Sequence, residues 1–126
     1  PSRLGEKPAW LIPRDLPSAS SGELACKECS RPMRFLLQIY ASRGETPEAF
    51  HRVLHLFVCT SCQPNKARLF RAQLPRENDF YDYAPPNADK IEKAVRTKGD
   101  PQLDALCCAG CGLARAPEEK ERCAEC

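Results

Sequence analysis

Nine cysteines carry the clearest chemistry in the chain, and eight of them fall into four CxxC pairs: Cys26 with Cys29, Cys59 with Cys62, Cys108 with Cys111, and Cys123 with Cys126. Cys107 stands apart. A two-residue gap puts two sulfurs on one tight turn, where both reach a single tetrahedral ion at about 2.3 Å. A disulfide framework needs oxidising surroundings and has no reason to repeat one gap four times. The pattern therefore predicts two structural Zn2+ sites of four cysteines each. Four cysteine ligands leave no open position for water or substrate, which sets such sites apart from catalytic zinc.

The first site joins a pair that precedes one apolar segment to a pair that follows the next, so two metal-binding turns bracket a hairpin, as in a zinc ribbon. An ion there closes a loop of about 30 residues and supplies on the order of 10 kcal/mol of folding energy, comparable to the whole stability of a domain. The second set is separated by the eleven residues 112–122, within the range of compact zinc modules. It has two possible closures: one local four-cysteine site, or a cross-braced arrangement in which each pair joins a more distal one. Cys107 is a spare, expected as a packed or exposed thiol.

His51 and His55 lie four apart without an HExxH context. On a strand they fall opposite Leu54 and Leu56, so a surface or edge role is expected rather than ligation. The chain has no nucleophile elbow, Walker loop, dinucleotide fingerprint or deaminase HxE with PCxxC. An enzyme is not expected.

A length of 126 residues supports one main core. With 42% hydrophobic residues but 12 prolines, the chain is hydrophobic enough to fold and rich in loops. No apolar run is long enough to span a bilayer, and PSRLGEKPAW lacks the basic-then-apolar order of a signal peptide, so membrane insertion and secretion are not expected. Proline at the first position and Cys126 inside a pair at the last suggest an excised fragment. The formal charge is +2. Each filled tetrathiolate site adds about two negative charges, which brings the loaded chain to about −2 and weakens a generic nucleic-acid reading. The one dense basic stretch, Lys66, Arg68, Arg71 and Arg76, reads as a solvated strand face.

The elements that must position the cysteines follow from the apolar pattern. Residues 1–25 form an extended lead-in whose Trp10 packs on the core. In the strand predicted over 33–42, Met33, Phe35, Leu37 and Ile39 make one apolar face. Residues 50–58 fit a helix or a strand by periodicity; length and the abrupt CTSC ending favour a strand facing inward with Leu54, Leu56 and Val58. A third strand, RLFRAQL, has Phe70, Ala72 and Leu74 inside. PRENDFYDYAPPNAD either caps the sheet with Phe80, Tyr81 and Tyr83 or presents them to a partner. A connector helix spans 88–98, with Gly99 and Pro101 as stop signals. The segment 105–126 has few large apolar residues and depends on metal. The fold class is β-rich α+β: a small zinc-stapled antiparallel sheet with irregular loops, a short helix and a C-terminal zinc-binding tail. Three regions are expected, a zinc-containing β-rich domain at 1–86, a linker with the short helix at 87–104, and a cysteine-rich module at 105–126.

Several phrases resemble the programmed cell death protein 2 family: KPAWL, the CxxC followed by RPMRFLLQIYA, AFHRVLHLFVC, and LFRAQLPRENDFYDYAPP. The tail CAGCGLARAPEEKERCAEC is similar to the opening half of the MYND zinc module, whose remaining ligands would lie beyond Cys126. The resemblance implies that residues 1–86 are the N-terminal part of a β-rich fold called TYPP, whose C-terminal half packs against it in the family. It further implies a cytoplasmic and nuclear chaperone that captures one small-subunit ribosomal protein, the counterpart of bacterial small-subunit protein five, during ribosome biogenesis. Asp79, Phe80, Tyr81 and Tyr83 are then candidate contacts for that basic client, with capping of the core as their alternative role. A MYND-type adaptor for proline-containing corepressor peptides and a nucleic-acid-binding zinc protein are the competing functions.

Overall fold

The computed structural model describes residues 2–18, 22–84, 87–90, 92, 101–116, 118 and 122–123. Four strands, β1 (Arg3–Leu4), β2 (Arg34–Tyr40), β3 (His51–Cys59) and β4 (Lys66–Leu74), form one open antiparallel sheet in sequence order. A 3-10 turn at Pro47–Ala49 precedes β3, and a short helix α1 spans Pro101–Leu106. None of the helices described is long and apolar enough to cross a membrane.

β3 is the strand that periodicity left ambiguous, and its burial alternates strictly from Arg52 to Cys59. The buried phase is Val53, His55, Phe57 and Cys59, not the predicted Leu54, Leu56 and Val58. The aromatic ring decides the phase. Phe57 is fully enclosed, edge-on to Phe35 and Phe70 at 5.6 and 5.5 Å and stacked on Trp10 at 6.4 Å. His55, expected at the surface, is therefore carried into the core in phase with Phe57.

β2 departs from strict alternation. Phe35 faces Phe57 and Leu37 faces Leu56, so a bulge at Leu36 shifts the phase. Beyond it Gln38 is buried, and Ile39, predicted inside, is 47% exposed. A one-residue slip moves every later side chain to the other face. β4 matches the prediction, with Phe70, Ala72 and Leu74 on its more buried side.

The lead-in covers the inner face of the sheet. Trp10 is buried as predicted and belongs to one core cluster with Leu24, Cys26, Met33, Phe57, Cys59, Cys107 and Leu113. The cysteine-rich turn after α1 thus shares the core of the sheet. Backbone bonds hold it there: Ala114 N donates to Pro17 O, and Ser18 bridges Ala114. Of the connector helix predicted over 88–98, the described residues 88–90 and 92 are helical, and the others lie outside the described residues. Pro101, predicted as a stop signal for that helix, opens α1, where its missing N–H costs nothing.

Candidate functional site

Cys26 and Cys29 are presented by a tight loop closed on itself: Cys26 N donates to Arg31 O, Ser30 N to Cys26 O, and Met33 N to Leu24 O. Ser30 takes φ 57°, the left-handed turn that brings the chain back into β2. Cys59 ends β3 and Cys62 lies in the turn that follows. Arg31 Nη1 reaches Ser61 Oγ at 3.2 Å and ties the two turns together. All four sulfurs lie within 4.8 Å of one another.

Cys26 Sγ and Cys62 Sγ are 3.8 Å apart, and Cys29 Sγ and Cys59 Sγ are 3.5 Å apart. Four sulfurs at 2.3 Å from one tetrahedral ion are separated by about 3.8 Å. A disulfide would hold them at about 2.05 Å. The spacing fits a shared ion, as the sequence predicts for this set. The Ser61 amide, hydrogen-bonded to Cys59, pulls that thiol down to about 6, while the neighbouring sulfurs, Cys29 first, push Cys62 up to about 12. A divalent ion bound by the four sulfurs would hold them as thiolates.

The second set places Cys108, Cys111 and Cys123 together, with Cys111 Sγ and Cys123 Sγ 3.7 Å apart. Cys126, its predicted fourth member, lies outside the described residues. Cys108 Sγ accepts from the amides of Gly110 and Cys123, both at 3.3 Å, bonds that stabilise a thiolate. Cys107 is buried beside this group but is not one of its three members, and burial, with Asp104 nearby, raises its thiol. Both clusters could hold a metal ion.

Gly112 joins the second cluster to the lead-in, and sequence reasoning missed it. Its φ of +72° suits a residue without a Cβ, and a Cβ there would meet Lys7 Cβ at 3.0 Å and Pro8 Cδ at 3.1 Å. Its carbonyl accepts from Trp10 Nε1 at 2.7 Å. Lys7 Nζ donates to Ala109 O alongside. Among the described residues neither histidine joins a metal cluster; His51 Nδ1 lies 3.2 Å from Tyr40 Oη.

The acidic aromatic segment folds over the start of β3. Asn78 Oδ1 accepts from the amides of Phe80 and Tyr81, an Asx turn whose signal is the asparagine two residues before the aromatic run. Tyr81 Oη donates to Leu11 O, and its ring rests on His51 at 5.3 Å. Phe80 lies under Arg14, and Arg76 sits over both Phe50 and Tyr83, at 4.9 and 4.2 Å. Between these residues is an open cleft of about 520 Å³, lined by Phe50, His51, Arg76, Phe80 and residues 81–84. Asp79 is exposed and does not line it. Tyr83 is 58% exposed. Phe80 and Tyr81 thus fasten the segment to the lead-in at Arg14 and Leu11, and Tyr81 also rests on His51 of β3, whereas Asp79 faces solvent and Tyr83 is exposed beneath Arg76.

The model of the family "Programmed cell death protein 2, N-terminal domain" matches residues 1–88. The chain is 52% identical over 91 residues to programmed cell death protein 2 of Bos taurus, covering 71% of this chain and 26% of that protein. It is 51% identical over 89 residues to the Rattus norvegicus protein of the same name, covering 69% and 25%. Programmed cell death protein 2-like of Homo sapiens is 34% identical over 67 residues, covering 49% and 18%. The matched region spans about a quarter of the length of the first two relatives. No solved structure matches the chain significantly. The sheet, the lead-in and the turns of Cys26, Cys29, Cys59 and Cys62 fall inside the matched residues, and the chain belongs to the programmed cell death protein 2 family.

Proposed function

We propose that the chain is a non-enzymatic, zinc-dependent protein-binding module, part of a dedicated chaperone that captures a basic small-subunit ribosomal protein. The observation that carries this reading is the segment 77–83, fastened to the lead-in by Tyr81 and Phe80, with Asp79 exposed and Tyr83, one side of its ring covered by Arg76, still 58% exposed beside an aromatic cleft. Carboxylates and an exposed ring next to a cleft suit lysine and arginine side chains. Both cysteine clusters contribute structure to it: the first staples β3 to the loop before β2, and the second is docked on the lead-in. Zinc is the ion that a compact all-thiolate set favours.

Nucleic acid is a poorer fit. Lys66, Arg68, Arg71 and Arg76 are consecutive in the basic stretch but do not make one patch. Arg68 covers Phe70 and bonds Glu23 O, Arg71 pairs with Leu54 on the opposite face, and Arg76 is stacked in the cleft.

The test is affinity purification of the intact protein from ribosome-producing cells, followed by mass spectrometry. Enrichment of one small-subunit ribosomal protein is expected, and its loss with Asp79→Ala plus Tyr83→Ala at unchanged folding assigns the surface. Recovery of corepressors or RNA instead would replace the chaperone by an adaptor or a nucleic-acid-binding protein.

A further inference from the structure

The chain has three tyrosines, and the fold treats their hydroxyls differently. Tyr40 lies in β2 with its Oη 3.2 Å from His51 Nδ1. Tyr81 Oη donates to Leu11 O. Tyr83 Oη has no hydrogen-bond partner among the described residues, and the residue is 58% exposed. Residues 81–84 are all exposed and belong to no helix or strand, since β4 ends at Leu74. An enzyme that holds its substrate as an extended segment can therefore take hold of Tyr83 without breaking a ladder bond.

Charge is placed on two sides of this residue. Glu77, Asp79 and Asp82 precede it in sequence, a pattern that suits a tyrosine kinase with a basic substrate groove. Over its ring lies the guanidinium of Arg76, with Cζ 4.2 Å from the centroid. Arg76 is exposed and forms no ion pair among the described residues; its guanidinium rests on the rings of Phe50 and Tyr83. A phosphate on Oη stands at the rim of the ring that Arg76 already covers, where a planar cation turns its N–H donors onto the phosphate oxygens. A neighbouring carboxylate opposes a new anion. Here Asp82 is already paired with Lys90 at 2.7 Å, and His51, which lines the same cleft, brings no negative charge.

We propose that Tyr83 is a tyrosine phosphorylation site and that Arg76 is the built-in receptor of the phosphate. A protein tyrosine kinase supplies the reaction with Mg-ATP. Tyr83 Oη attacks the γ-phosphorus, the bond from that phosphorus to the bridging oxygen breaks, ADP leaves with the electron pair, and the phenolic proton passes to the kinase's catalytic aspartate. The product carries a charge of about −1.5 to −2 beside the cleft in place of a neutral phenol. Tyr81 is not the site, because its hydroxyl holds the segment on the lead-in through Leu11. The assignment does not depend on the client proposed for the cleft.

The experiment treats the zinc-loaded 126-residue chain with a panel of acidophilic protein tyrosine kinases and Mg-ATP, and locates the phosphate by fragment-ion mass spectrometry. Tyr83 should carry at least about ten-fold more phosphate than Tyr40 or Tyr81, since each of those must first give up its hydroxyl contact. Phosphorus NMR then follows the second ionisation of the phosphate, ordinarily at about pH 6. Arg76 favours the dianion, so the phosphorylated chain should titrate about half a unit or more below a free phosphopeptide of residues 77–84, which lacks Arg76. Arg76→Gln should remove the difference and Arg76→Lys, which keeps the cation, should retain most of it; circular dichroism with metal content checks the fold. Phosphate mainly on Tyr40 or Tyr81, or no labelling of Tyr83 by any kinase of the panel, would overturn the site. A titration equal to that of the free peptide, or one that folded Arg76→Gln leaves unchanged, would overturn the receptor.

Discussion

Gln38 and His55 face each other across the β2–β3 ladder and between them hold both backbone groups of Ala9. Ala9 N donates to Gln38 Oε1 at 2.7 Å, and His55 Nε2 donates to Ala9 O at 3.3 Å. Two polar side chains, 2% and 0% exposed, are accommodated in an apolar core because the lead-in brings them its own donor and acceptor. The next residue, Trp10, then lies over His55 with ring centroids 4.5 Å apart and bonds Gly112. One clamp on Ala9 therefore seats the lead-in on the sheet and, through Trp10, the second cysteine cluster on the lead-in.

Gln38→Leu leaves the Ala9 amide without its acceptor in a buried setting. Such a loss costs roughly 1–3 kcal/mol. Urea unfolding of the metal-loaded protein should show a lowered midpoint of that size; an unchanged midpoint would remove the clamp from the account.

His55 makes the fold sensitive to acid. Burial lowers its pKa below the ordinary 6.5, and the bond to Ala9 only partly opposes this. His55 Nδ1 has no hydrogen-bond partner, so the neutral ring is the form the core accepts. The unfolded chain takes up the proton first as pH falls through about 6.5, so stability is full above that value and declines below it toward the lower folded pKa. His51, lowered by burial too, acts in the same direction. The loss of stability between about pH 7.5 and 5.5 should be smaller in His55→Gln than in the parent, whereas acid release of metal is common to both. Equal losses in the two proteins would exclude His55 as the sensor.

Metal analysis should return two zinc ions per chain, one for each cluster. Cys62→Ser should lose the first ion and much of the structure of the sheet, since binding energy at such a site is folding energy of about 10 kcal/mol. Cys107→Ser should keep both, because its sulfur lies outside the cluster of Cys108, Cys111 and Cys123. One ion in the parent would leave only the first cluster as a metal site, and none would sink the zinc assignment altogether.

Gly112→Ala should cost more than Gly5→Ala. Both glycines have positive φ, +72° and +70°, but an added Cβ meets Lys7 and Pro8 only at position 112. The shared backbone strain is about 1–2 kcal/mol, so the excess measures the close approach of the second cluster to the lead-in. Trp10 fluorescence should shift to longer wavelength in Gly112→Ala as the bond to the Gly112 carbonyl is disturbed. Identical effects at the two positions would separate the cluster from the lead-in.

The clusters were legible because their information is local. Two cysteines on one turn need only a two-residue gap, and four turns of that kind are plain in the chain. Three of the four strands were legible too, since alternation marks β2 and β4 and the CTSC ending marks β3, whereas β1 lies inside the stretch read as a lead-in. Which face each strand buries was not. Leu54, Leu56 and Val58 look as apolar as Val53, Phe57 and Cys59, and the choice rests on where Trp10, Phe35 and Phe70 meet Phe57. Gln38 and His55 read as surface residues because nothing nearby in sequence satisfies them; their partner, Ala9, is 29 and 46 positions away.

By itself, then, the sequence determined that this is a small antiparallel sheet with all-cysteine clusters at its turns, because ligand spacing and strand period are properties of consecutive residues. Only the tertiary structure decided that the first cluster gathers four sulfurs at ion-sharing distances, that the cysteine-rich tail joins the sheet's own core through Trp10 and Gly112, and that Tyr83 is exposed beneath Arg76. Those features depend on packing and strand register, and a single bulge at Leu36 is enough to exchange the faces of Gln38 and Ile39.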